Sequence, residues 1–245
     1  MQRQTTIYPT SDGEPVAESY VHLRVILVTL LVLEDYLKAL AQQQDLPPER
    51  EGTVLANQFL FYEEGKSARV APDVMVILNV AGGGRDSYKI WEEGQVPSVV
   101  FEMTSESTRK EDQGKKRELY ARLGVQEYWL FDPKGEWIKE QLVGYRLPAG
   151  GGGQPADTGG QSQGAYVPIT DSCSRVLGLR LEIEGALIGF YRLDTGEKLL
   201  NPEEQKQARQ AAEQRALQQE QGRMEAERVI AGLRARMREM GLNPD

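Results

Sequence analysis

Residues 97–131 read PSVVFEMTSESTRKEDQGKKRELYARLGVQEYWLF. Pro97 to Met103 is apolar nearly throughout, as expected of a strand buried on both faces. Thr108 to Leu123 has the composition of a helix. Ser107 or Thr108 can cap it, Glu111 is placed for a capping box, and Gly124 is a natural C-terminal cap. Gln126 to Phe131 returns to a strand pattern, closed by Asp132-Pro133. Strand, helix and strand in succession point to an α/β fold with a mixed (α+β) sheet.

Working back from this stretch, Asp73 to Val80 (DVMVILNV) is rich in β-branched residues and ends at Gly82-Gly83-Gly84. Val54 to Tyr62 reads as one further strand, followed by a turn at Glu63-Glu64-Gly65-Lys66. Before it, a helix is expected from about Val16 or Ala17 to about Gln44, with Val21, Val25, Val28, Leu31, Val32 and Leu37 near a helical period and Pro47-Pro48 ending it. The order is helix, three strands, helix, strand. The apolar run Val25 to Leu33 falls short of the roughly 20 residues a membrane span needs, so it reads as part of a buried core helix. The first six residues carry no apolar signal core, and the expected location is the cytoplasm, with no membrane partner.

Working forward, Trp137 to Arg146 and Ala165 to Ile169 suggest a hairpin around a flexible Gly/Gln/Ser-rich insertion at about 148–164. Leu179 to Ile183 and Leu187 to Leu193 suggest two more strands. After Pro202, Glu, Gln, Arg and Ala dominate as far as about Glu239, a helix-forming composition. The expected domains are 1–200 and a charged C-terminal helix, 201–245. Val229, Leu233, Met237 and Met240 form a short apolar stripe on that helix, with Gly241 and Pro244 terminating it. The stripe suits a homodimeric coiled coil or a partner helix; the competing reading is a solvated helix with no specific role.

One cysteine, Cys173, excludes an internal disulfide, and with one histidine, His22, it excludes a structural zinc cluster. Any metal is therefore held mainly by oxygen, which favours Mg²⁺, Mn²⁺ or Ca²⁺. The formal net charge of −8 argues against a general polyanion binder, although a local basic groove remains compatible with it.

Two acids stand out. Asp73 opens one strand and Glu102 ends the next, and side chains on neighbouring strands about 4.8 Å apart can share one ion. An acid at a strand end is commonly just solvated, but Glu102 follows an apolar run where an unpaired charge is costly. Asp112, Lys116 and Tyr120 repeat at four-residue spacing on one helix face that begins close to Glu102. The bland alternative is an exposed Asp-Lys pair worth a few tenths of a kcal/mol. Arg109, Lys110, Lys115, Lys116, Arg117 and Arg122 suggest a phosphate-facing patch, diluted by Glu106, Glu111, Asp112 and Glu118. Tyr128 and Trp129 read as packing residues, and His22 as an ordinary helix residue.

The ordered array Ala71-Pro72-Asp73-Val74-Met75-Val76, Val99-Val100-Phe101-Glu102-Met103-Thr104-Ser105, Ser107-Thr108-Arg109-Lys110, Asp112…Lys116…Tyr120, Gly124-Val125-Gln126-Glu127-Tyr128-Trp129 and Asp132-Pro133 resembles the Uma-type restriction endonuclease family of the PD-(D/E)XK nuclease superfamily. YPTSDGEP at the start, Tyr62-Glu63-Glu64-Gly65 and Ser87 to Gly94 fit as well, so the resemblance spans roughly Tyr8 to Leu193. It implies a restriction-endonuclease-like core with extra β hairpins, and Mg²⁺- or Mn²⁺-dependent phosphodiester hydrolysis in DNA. By position, Asp73 and Glu102 correspond to the metal-binding acids. The superfamily lysine should fall two residues after the second acid, where this chain has Thr104. Lys116 is the candidate replacement, with Lys115 the runner-up and Tyr120 a possible accessory. Glu18 corresponds to an acid often found on the first helix. The competing functions are a catalytically degenerate DNA-binding module and an assembly protein acting through its C-terminal helix.

Overall fold

In the computed structural model, which describes residues 8–9, 19–148 and 165–241, α1 (Tyr20–Gln43) begins at Ser19, whose side chain accepts from the His22 amide at 3.3 Å. The start expected near Val16 and the insertion tip beyond residue 148 lie outside the described residues. So does Glu18.

The chain then runs through β1 (Thr53–Leu55), β2 (Phe59–Phe61), β3 (Arg69–Val70), β4 (Val74–Ile77), β5 (Ser87–Lys89), a short α2 (Ile90–Glu93) and β6 (Val99–Met103). A continuous helix follows, made of α3 (Arg109–Glu111), one π-helical turn (Asp112–Lys116) and α4 (Arg117–Leu123). Next come β7 (Glu127–Phe131), β8 (Leu142–Arg146), β9 (Val167–Ile169), β10 (Cys173–Ser174), β11 (Leu179–Glu184), β12 (Leu187–Arg192), β13 (Lys198–Leu199) and α5 (Pro202–Glu239).

The main sheet has the order β1-β4-β6-β7-β8-β9, with β6 and β7 parallel and the other neighbours antiparallel. Its side chains alternate between two cores. Val74, Val76, Val99, Phe101, Met103, Trp129 and Phe131 pack with Val25, Leu33 and Leu37 of α1, and with Leu179 and Phe190 of the four-stranded sheet β10-β11-β12-β13. Met75, Ile77, Val100, Tyr128 and Leu130 pack with Tyr120 of α4. All of these are essentially inaccessible, and each fully buried large apolar side chain contributes about 1.5–3 kcal/mol. The expected mixed α/β core of helix, three strands, helix and strand is present as α1, β1-β4-β6, α3–α4 and β7.

Three local expectations are corrected. Val54 to Tyr62 is not one strand. Asn57 adopts φ +56° and breaks the run, so β1 joins the main sheet while β2 pairs with β3 and β5 in a separate small sheet. The capping box at Thr108 does not form: the Thr108 side chain makes no cap bond, and its hydroxyl accepts from the Ser105 amide at 3.1 Å. Only Leu142–Arg146 of the expected strand from Trp137 is extended in the sheet. Asp132 organises the residues before it: its carboxylate accepts from the amides of Lys134, Gly135, Trp137 and Ile138.

The chain divides into two units, Met1–Leu199 and Leu200–Asp245. In the second, Asn201 and Glu204 form a reciprocal capping box at the start of α5. No side chain of α5 is buried; Leu217, Met224, Val229, Ile230, Leu233 and Met240 are all exposed. No helix among the described residues is long and apolar enough to cross a membrane.

Candidate active site

The β4–β6 register pairs Val74 with Phe101. Continued one step beyond β4, that register sets Asp73 opposite Glu102. Asp73 accepts from the Met103 amide through Oδ2 at 2.6 Å, which ties it to the end of β6. Glu102 is 1% exposed. Its two oxygens take different donors: Lys116 Nζ reaches Oε2 at 2.9 Å, and the Tyr120 hydroxyl reaches Oε1 at 2.7 Å.

The π turn sets this face of the helix. Asp112, also 1% exposed, has Oδ1 3.0 Å from Lys116 Nζ, but among the described residues neither of its oxygens makes an aligned hydrogen bond. The Asp112 carbonyl accepts from the Tyr128 hydroxyl at 2.9 Å, anchoring the turn to β7. Asp112, Lys116 and Tyr120 thus meet at Glu102, as their four-residue spacing suggests. Lys115, by contrast, is exposed.

Three carboxylates share one ammonium here, and the ionisations follow from that. Burial raises the Glu102 carboxyl to about 8; Lys116 opposes the shift, and Asp73 and Asp112 add to it. Burial likewise raises Asp112, with Lys116 and Thr108 countering in part. Burial pulls the Lys116 ammonium down, but Glu102, Asp112 and Asp73 together hold it above the usual lysine range. Burial, then Glu102, raises the Tyr120 phenol well above its ordinary value, so it remains a donor.

A cleft of about 650 Å³ opens beside these groups, lined by Ser19, His22, Asp73, Thr104, Thr108, Asp132 and Trp137 among others. Thr104 occupies the place where the resemblance calls for lysine; its hydroxyl is buried and has no partner among the described residues. His22, read from sequence as an ordinary helix residue, reaches the cleft, with Nε2 3.8 Å from Asp73 Oδ2. Its one sequence signal is its place as the sole histidine on the first turn of α1. The expected basic patch is divided: Lys116 turns to Glu102, Arg109 stacks over Trp137 at 4.5 Å, and Arg117 over Tyr145 at 5.2 Å.

The donor set suits a hard divalent cation. Carboxylates exceed ammoniums in the cluster, and the Asp112 oxygens lack aligned donors among the described residues. Among the described residues, no three His, Cys, Asp or Glu side chains converge closely enough to hold an ion by themselves. Mg²⁺ needs fewer: it takes one or two carboxylates and keeps waters for substrate phosphate.

No curated protein matches the chain significantly. Among solved structures, a putative nuclease belonging to DUF820 from Anabaena variabilis ATCC 29413 is similar, at 17% identity and a TM-score of 0.37, over 56% of this chain and 70% of that one. The Uma2 family model, described as a putative restriction endonuclease, matches residues 10–179, well over half of the chain. The chain belongs to the Uma2 family.

Proposed function

We propose that this protein is a metal-dependent endonuclease that hydrolyses phosphodiester bonds in DNA. The observation that carries the reading is the placement of Asp73 opposite Glu102 across β4 and β6, with Lys116 Nζ 2.9 Å from Glu102. Asp73 and Glu102 would hold Mg²⁺ or Mn²⁺. When bound, the ion supplies a water of lowered pKa and offsets charge at phosphorus. The Met103 amide fixes Asp73, and Tyr120 fixes Glu102. Lys116 carries the positive charge that orients the attacking water or the scissile phosphate, the role assigned to the lysine displaced from position 104.

Residues 1–200 are proposed to form the catalytic domain. Residues 201–245 are proposed to join two copies through the exposed apolar positions of α5, which suits cutting two strands. Thr104 favours a second reading, in which the fold binds DNA without cutting it.

Supercoiled plasmid and single-stranded DNA, incubated with Mg²⁺, Mn²⁺ or EDTA beside Asp73→Ala and Glu102→Ala, separate the two. Metal-dependent cutting lost in both variants supports the nuclease. DNA retention by folded wild type with no cutting under any metal supports the binding module.

A further inference from the structure

We propose that His22 supplies a nitrogen ligand, beside Asp73, to the divalent cation of this site. The inference rests on the nuclease reading and goes beyond it, because it gives the ion a mixed nitrogen and oxygen environment. His22 and Asp73 come from different elements, the first turn of α1 and the residue before β4, yet both line the cleft while Glu102 and Asp112 do not. Their side chains are 14% and 16% exposed, so both are largely desolvated and still reachable.

The 3.8 Å between Nε2 and Oδ2 is too long for a hydrogen bond, which needs about 2.7–3.2 Å. It is a separation that one ion can span: metal–nitrogen and metal–oxygen bonds of about 2.0–2.2 Å bridge gaps up to about 4 Å. Both residues are anchored: the His22 amide donates to Ser19 Oγ, and Asp73 Oδ2, the oxygen nearest the imidazole, takes the Met103 amide on one of its two lone pairs. An imidazole among the ligands shifts preference from Mg²⁺, which favours oxygen alone, towards Mn²⁺ and later first-row ions.

The test uses the tag-free full chain loaded with Mn²⁺ and pulsed electron paramagnetic resonance. His22 is the only histidine, so an imidazole ¹⁴N modulation is assigned without labelling. The expected result is that modulation in the wild type and its loss in folded His22→Gln, with Mn²⁺ affinity falling at least about tenfold and Mg²⁺ affinity falling less. Bound Mn²⁺ without imidazole modulation overturns the His22 assignment and leaves the nuclease reading standing. A folded wild type that binds no Mn²⁺ overturns both.

Discussion

The ammonium of Lys116 lies 2.9 Å from the Glu102 carboxylate, which is 1% exposed at the end of β6, and the same nitrogen is 3.0 Å from Asp112. One cation therefore serves two buried acids. Lys116→Met leaves Asp112, and Glu102 wherever it is ionised, without a counter-charge, and measured above pH 8 it is expected to destabilise the domain by about 3–5 kcal/mol. Adding Glu102→Gln to that variant is expected to recover part of the loss. Urea unfolding of the two single variants and the double measures the coupling; additive losses would show that the pair is not coupled.

The raised Glu102 carboxyl makes stability depend on pH. Its proton is held up to about 8 in the folded chain, against 4.5 ordinarily. Below 4.5 both states carry the proton and the stabilisation is complete. Above it the unfolded chain ionises first, so stability falls as pH rises towards 8, by at most about 1.4 kcal/mol per pH unit. Thermal melts in EDTA are expected to show this slope in the wild type and a shallower one in Glu102→Gln. Parallel profiles would contradict it.

Much of this arrangement is legible in the residues themselves. The apolar run before Glu102 marks an acid entering a core, and the spacing of Asp112, Lys116 and Tyr120 marks one helix face. The π turn carries no such mark, although it shapes that face. Beyond being the sole histidine, His22 carries no sequence mark, because a single polar residue on an amphipathic helix has no period to betray it; only the docking of α1 on the sheet brings it to Asp73. Asn57 was hidden inside an apolar run, though asparagine is among the residues that tolerate positive φ. Nothing in the sequence around Glu127 marks its role. It is fully buried, and accepts from Arg146 at 2.8 Å and from Ser174 at 2.5 Å. Ser174 lies 47 residues away, beyond any local pattern.

Gly144 on β8 faces the Trp129 ring across the strand pair. A Cβ there would sit 2.5 Å from Trp129 Cζ3, and Trp129 is 1% exposed in the core. Gly144→Ala is expected to cost about 1–3 kcal/mol in urea unfolding through overpacking. An unchanged midpoint would mean that the ring moves freely.

Ending the chain at residue 200 removes α5 and its exposed apolar stripe. Light scattering is expected to give a dimer for the full chain and a monomer for residues 1–200, with the same melting temperature. A full chain that is monomeric would contradict pairing through this helix, and a collapsed melting temperature would contradict its independence from the domain.

The most direct measurement is single-turnover cleavage of supercoiled plasmid at saturating Mn²⁺ by the wild type and Glu102→Gln, both shown to be folded. Glutamine keeps the size of the side chain and removes its ionisable carboxylate. Cutting by the wild type that falls by at least about 10²-fold in the variant is the expected result. Equal rates in the two proteins would contradict a catalytic role for Glu102 and, with it, the assignment of this cluster as the active site.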